Sequence, residues 1–320
     1  MLRILFLLTL LWITSDAVTV EAAEIAILKS SDLSYYEQAI VGFKAGLSPT
    51  TTTKEYSLDG QLGRGRDIGK ALRASPPDLV FAVGLKAAMA AKLEIFDAPV
   101  VFCMVLNPET HGLPASNMTG IALRTSAEVQ LSTLRSMLPS RHRVGLLYDE
   151  EQSGTFVRDA LQAAKRQGLE LVTVAVRRHD EIPKAVRALL PQIDVLWLIQ
   201  DQTVVSESAI PFFLESTLEA KIPMFTFSST LVQQGALGAL VVDPWTVGQQ
   251  AARVALSRLN EPTAYAGLLL APERQQLALN MNSAEYLGLA LSPELTRLAG
   301  QLFSGPGMMA RKPIPSDLIP

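Results

Sequence analysis

Between residues 193 and 252 three short apolar runs follow one another, and each closes on a cluster of polar or aromatic residues. The first, 195–199, ends in Gln200-Asp201-Gln202-Thr203. The second, 224–227, ends in Ser228-Ser229-Thr230, and the third, 237–242, in Asp243-Pro244-Trp245. Uncharged runs of this length suit buried strands. A segment with helical spacing, 206–220, separates the first two, and at least two of the three lead into helices. Strands that alternate with helices build parallel sheets, because a parallel connection needs a crossover long enough to hold a helix. In open sheets of this kind ligands sit outside the carboxyl ends of the strands. The three polar clusters therefore mark one rim.

The same alternation fills the rest of the chain. Strands are predicted at 24–28, 54–58, 79–83 and 100–106. Helices are predicted at 35–47, where Ile40, Phe43 and Leu47 share a face, and at 67–74 and 84–93. Residues 59–65 read as a glycine-rich loop, and Pro76-Pro77 stop the helix before them. After a short connector at 117–121 the pattern restarts. Helix 127–138 is followed by strand 144–148, helix 155–167, strand 169–176 and helix 181–190. The expected fold is α/β, with two Rossmann-like lobes built on parallel sheets. Beyond residue 291 the sequence turns loop-like, with Ser304-Gly305-Pro306-Gly307 and Lys312-Pro313-Ile314-Pro315.

Several function classes are disfavoured. The chain has 320 residues, net charge −3 and scattered basic residues, which argues against nucleic-acid binding. Gly63-Arg64-Gly65 follows a strand, but Ile68 stands where a dinucleotide fingerprint needs its third glycine. Neither a phosphate-binding GxxxxGK[ST] loop nor a GxSxG elbow is present. His111, His142 and His179 have no metal-ligand spacing. Cys103, the single cysteine, lies in an apolar run and reads as a buried small residue. No catalytic set, cofactor or metal is expected. Residues 1–22 read as a secretory leader: Arg3, an apolar run at 4–13 and small residues around Ala22, with no cysteine following for lipid attachment.

The motifs also carry a resemblance. Gln200-Asp201-Gln202, Lys221-Ile222-Pro223, Gly235-Ala236-Leu237 and the segment from Asp243 to Gly248 resemble, in order and spacing, the type I periplasmic binding proteins of ABC importers, in the group that includes tryptophan- and phenylalanine-binding lipoproteins. Pro77-Asp78-Leu79 running to Gly84, Pro99 to Phe102, and Asn117-Met118-Thr119-Gly120 match further segments of that family, so the likeness covers about 24–293. It implies a multi-strand hinge, with crossings near Thr119-Gly120, at 240–243 and at 265–270. The implied division is a leader at 1–22, lobe 1 at 23–120 plus 241–264, lobe 2 at 121–240 plus 265–295, and a tail at 296–320. It also implies a monomeric periplasmic solute-binding protein that closes on a small ligand and docks on a membrane permease.

The candidate ligand-facing residues are those at the strand ends. In lobe 1 they are Ser31, Asp32, Tyr35, Gly84, Leu85 and Asn107, and in lobe 2 Tyr148, Ser153, Asp201, Gln202 and Ser228, with Asp243 and Trp245 at a crossing. Helix N-termini after Ser30-Ser31, Gly84 and Ser228-Ser229 would suit a carboxylate. Asp201 and Asp243 would accept from an ammonium group, and Tyr35, Tyr148 and Trp245 would stack on an apolar side chain. Together these suit an amino acid. Gln202 replaces the family's usual Asn, and Pro244-Trp245 replace a Tyr-Tyr pair. A free-standing ligand-sensing subunit and a protein-contact module on the same fold stay open as alternatives.

Overall fold

The structure is a computed structural model and describes residues 23–304. The leader expected at 1–22 and residues 305–320 lie outside the described residues. The first half runs β1 (Glu24–Lys29), α1 (Ser34–Ala45), β2 (Thr52–Ser57), α2 (Leu62–Ala74), β3 (Leu79–Val83), α3 (Leu85–Glu94), β4 (Val100–Cys103) and β5 (Met118–Ile121). The second half runs α4 (Ala127–Met137), β6 (Arg143–Tyr148), α5 (Glu150–Arg166), β7 (Glu170–Ala175), α6 (Ile182–Leu189), β8 (Val195–Trp197), α7 (Ala209–Glu219), β9 (Met224–Thr226), α8 (Ser229–Gln234) and β10 (Gly238–Val241). The chain then continues through α9 (Pro244–Asn260), β11 (Leu269–Leu270), β12 (Gln276–Asn280), α10 (Met281–Tyr286), α11 (Pro293–Leu298) and β13 (Gln301–Phe303).

These strands form two sheets, ordered β11-β5-β4-β3-β1-β2 and β13-β12-β10-β9-β8-β6-β7. Every neighbour in the first pairs in parallel. In the second, β10 and β12 alone run antiparallel. The central strands are apolar on both faces, as helices on both sides require. Along β1, Ile25 and Ile27 point to a core shared with α1 and α9, where Phe43 stacks on Phe81 at 3.9 Å between ring centroids. Ala26 and Leu28 point the other way, to the core under α3. In the second sheet Trp197 faces α4 and α5, and Leu196 faces α6, α7 and α8. The two-lobe α/β architecture read from the sequence is the one observed.

Three details differ from the sequence reading. The glycine-rich stretch at 59–65 is not all loop, because α2 begins at Leu62. A Cβ on Gly65 would overlap Leu58 and Ala90, so this glycine serves close packing. The predicted strand 100–106 stops at Cys103, where Met104 and then Asn107 turn left-handed, with φ of 59° and 48°. Residues 118–121 are a strand of the first sheet rather than a crossing, and the chain crosses just beyond them.

The ends of the lobes also shift. Leu269 and Leu270, assigned to lobe 2, pair with Gly120 and Ile121 in the first sheet, so lobe 1 reaches past residue 270. The Asn117–Gly120 segment explains this anchoring. Thr119 donates to the Tyr265 carbonyl at 2.8 Å and accepts from Arg258 at 2.6 Å, while Gly120 leaves room for Phe102 and Leu269. The third crossing follows at 271–275, and Gln250 of α9 clamps it through Ala271 O and Glu273 N. Residues 301–303, assigned to the tail, add β13 beside β12, because the turn at Gly300 hydrogen-bonds to Leu277.

Candidate functional site

The carboxyl ends of β1 and β3 are neighbours and form the lobe 1 rim. Ser30 is buried, and its hydroxyl accepts the Ala87 N–H of α3 at 3.0 Å, which ties the two loops together. That N–H is therefore already engaged. Gly84 is buried with φ +85°, and a side chain there would strike the Tyr36 and Ser30 hydroxyls. Ser31, Tyr35 and Leu85 stand half-buried around it. Tyr35 tilts against Tyr36 at 4.5 Å. Asp32 turns to solvent and pairs with Lys29 at 2.9 Å, which holds its carboxyl below the usual range.

The lobe 2 rim is built by β6, β8 and β9. Asp201 is 1% exposed and organises it. One of its carboxylate oxygens accepts Asp149 N–H at 2.9 Å. The other accepts Thr203 N–H at 3.0 Å and Val204 N–H at 3.2 Å. Asp149 caps α5 through Glu151 N–H and accepts the Thr203 hydroxyl at 2.6 Å. The carboxylate read as an ammonium acceptor thus binds the loop after β8 to the loop after β6. Ser153 lies buried one turn into α5, with a hydroxyl that has no hydrogen-bond partner. Tyr148 is half-buried, and burial pushes its hydroxyl pKa up. Gln202 is exposed, and Ser228 is half-buried before α8 and does not cap it with its side chain.

The crossing residues belong with lobe 1. Asp243 caps α9 through Thr246 N–H at 3.2 Å, and Pro244 opens that helix. Val242 packs in the apolar cluster that holds Leu33 and Tyr35, which brings the start of α9 to the β1 loop. Trp245 is 39% exposed there. Helix α9 lies unusually close to α1. A side chain on Gly42 would overlap the Trp245 carbonyl, and one on Gly248 would overlap the Ala39 carbonyl. Gly248, part of the segment that resembles binding proteins, is thus a helix-packing glycine.

Asn107 bridges the lobes. Its amide nitrogen donates to the Gln152 carbonyl of α5 at 2.8 Å, and its oxygen accepts from Arg124 at 2.7 Å. Arg124 was not among the residues singled out from sequence. It lies just after β5, donates also to the Gln200 carbonyl at 3.2 Å, and stacks over Phe156 at 3.8 Å. Burial lowers its pKa to about 10. The available signal was its place as the first charge after the 117–121 segment. Beside it lies a cavity of about 140 Å³ lined by Asn107, Glu109, Thr125, Ser126, Phe156 and Leu269, among others.

Two half-buried polar rims, one at the end of each sheet, thus flank a three-stranded crossing. A profile of the family described as ABC transporter substrate binding protein matches residues 42–303. The chain belongs to that family. A tyrosine-binding protein of Clostridioides difficile is 26% identical over 202 residues, spanning 61% of this chain and 58% of the relative's length. Among solved structures, the ligand-free, open form of a Clostridium difficile substrate-binding protein with adhesive properties has a TM-score of 0.75 at 20% identity. It covers 89% of this chain and 100% of that one. A Streptococcus pneumoniae domain in complex with L-Trp has a TM-score of 0.65 at 22% identity, covering 88% and 100%. These likenesses place the substrate-binding fold on this chain. Among the described residues, no helix is long and apolar enough to cross a membrane, and no group of three or more His, Cys, Asp or Glu side chains is placed to hold a metal.

Proposed function

We propose that this substrate-binding protein captures an amino acid with a large apolar side chain between its two sheets and presents the closed form, as a monomer and without catalysis, to an ABC permease. The observation that carries the reading is that hydrogen bonds, Asn107–Gln152 and Arg124–Gln200, join the strand-end loops of one sheet to those of the other. Such a geometry suits closure by rigid-body rotation about the crossings. The tyrosine-binding relative and the L-Trp complex support an aromatic ligand. Tyr35, Tyr148 and Trp245 supply aromatic surface, and Ser31, Leu85, Gln202 and Ser228 supply the remaining rim. Asp243 stands at the crossing as an acceptor. The family and the sequence of residues 1–22 support a periplasmic location.

A thermal-shift screen against L-tyrosine, L-tryptophan, L-leucine, ribose and citrate tests this. A ligand present at a hundredfold excess over its dissociation constant adds about 2.7 kcal/mol of stability. A shift with an aromatic or branched amino acid is expected. A shift with ribose or citrate alone would sink the amino-acid reading.

A further inference from the structure

Arg124 carries a charge that no group in contact with it neutralises. The side chain is partly buried, and both acceptors it touches, Asn107 Oδ1 and the Gln200 carbonyl, are neutral. It forms no ion pair among the described residues, and Glu109 and Asp201 act on it only from a distance. A guanidinium has five N–H donors in a planar fork, of which two are engaged here. Phe156 covers one face of the group and fixes its plane. A desolvated cation without a counter-ion is costly to keep, and its depressed pKa reports that cost.

The neighbouring residue shows a second, independent deficit. Thr125 is 5% exposed, and its hydroxyl has no hydrogen-bond partner. Buried hydroxyls in native proteins are paired as a rule, so an orphan calls for an explanation. Thr125 and Arg124 both line the cavity of about 140 Å³ at the hinge. Ser126, the N-cap of α4, lines it too, so the positive end of that helix borders the same space. The walls otherwise include Val105, Leu106, Leu123 and Leu269. A cavity of about 150 Å³ holds a molecule the size of benzene. Complete sites for drug-sized ligands are larger, at about 300–1,000 Å³. The space therefore suits one end of a ligand.

We propose that this hinge pocket is the carboxylate subsite of the cleft, in which the unengaged N–H groups of Arg124 and the Thr125 hydroxyl hold the carboxylate of the bound molecule. The assignment rests on the reading above that the ligand is an amino acid, and it makes Arg124 a specificity-determining residue. Glu109 on the rim favours a zwitterion over a simple anion, because its charge repels a bare carboxylate and attracts an ammonium group. Arg124 reaches both lobes, so a carboxylate placed here would also join the bonds that span the hinge.

The test compares acids with the amines that lack the carboxylate: L-tyrosine with tyramine and L-tryptophan with tryptamine, by calorimetric titration of the native protein and of Arg124→Gln, Arg124→Lys and Thr125→Val. Native protein is expected to prefer each acid by about 10- to 100-fold, the worth of hydrogen bonds to a charged group. Arg124→Gln is expected to lose most of that preference by weakening the acid far more than the amine, and Arg124→Lys and Thr125→Val to lose part of it. If Arg124→Gln weakens acid and amine equally, Arg124 is only a strut between lobes and the proposal fails. If no amino acid binds the native protein, the amino-acid reading fails by itself. The subsite is then judged by titrating acetate and, separately, inorganic phosphate while following the Arg124 Nε–Hε resonance, assigned by its loss in Arg124→Gln. A saturable shift with acetate that Thr125→Val weakens upholds a carboxylate site. A stronger response to phosphate, or none to either, overturns it.

Discussion

Asp201→Ala separates a structural role from a ligand role at the centre of the lobe 2 rim. The native carboxylate accepts three backbone N–H groups, those of Asp149, Thr203 and Val204, at a position that is 1% exposed. Alanine leaves all three donors without an acceptor. An orphaned buried donor costs about 1–3 kcal/mol, and at the lower end three of them cost about 3 kcal/mol. At about 2–4 °C per kcal/mol, the melting temperature falls by about 6–12 °C. Asp201→Asn keeps one oxygen for Thr203 and Val204 but turns an N–H against the Asp149 donor, so it falls between alanine and native. Differential scanning calorimetry gives the shift, and emission from Trp197, buried in the same lobe, reports where it occurs. An alanine variant that melts within about 1 °C of native protein, yet no longer responds to ligand, would refute the scaffolding account and return Asp201 to the ligand.

Other expectations concern acid, packing and the lobe interface. Asp194 accepts His142 and Arg143 N–H groups and pairs with Arg143 at 2.9 Å, which lowers its carboxyl to about 2. A folded pKa below the unfolded one adds stability at neutral pH that is lost progressively as pH falls from about 5 through the folded value to about 1. The loss in Asp194→Asn should therefore be about 2 kcal/mol at pH 7 and shrink to about 0.4 kcal/mol at pH 2, by urea melts at both pH values. Gly248→Val drives a side chain into the Ala39 backbone, so α1 and α9 must part at a cost of about 3 kcal/mol or more. Limited proteolysis should then cut lobe 1 before lobe 2, and cleavage at the native rate would contradict the close helix contact. Asn107→Ala removes a bond between the lobes, so small-angle scattering of ligand-free protein should show a larger radius of gyration, and an unchanged radius would contradict a role for that bond in limiting opening.

The alternation of strands and helices was legible because each sheet is covered on both faces, which makes its central strands, such as Leu79–Val83 and Val100–Cys103, wholly apolar. Val83, Val100 and Val195 could only have been interior. The helix at 62–66 was not legible, since glycine weighs against helix locally while the fit of Gly65 against Leu58 and Ala90 is tertiary. Strands of two or three residues, Leu269–Leu270 and Gln301–Phe303, carry too little pattern to stand out, and only pairing defines them. At the rim, residue type pointed to the right loops without revealing which polar groups were already engaged. Ser30 and Asp201 are committed to backbone donors, and Arg124 owes its position to a turn after β5 that no periodicity encodes.

Lobe 1 has a consequence for the order in which the chain becomes whole. Its first sheet starts at Glu24, but its outer strand, Leu269–Leu270, and the helix covering α1, Pro244–Asn260, come from the far side of lobe 2 in sequence. A chain emerging N-terminus first, from a ribosome or a secretion pore, would present α1 with Gly42 and Ala39 uncovered until about residue 260 had appeared. Until then the early half has no finished core to commit to. The crossings that join the two lobes therefore also delay the first lobe's completion.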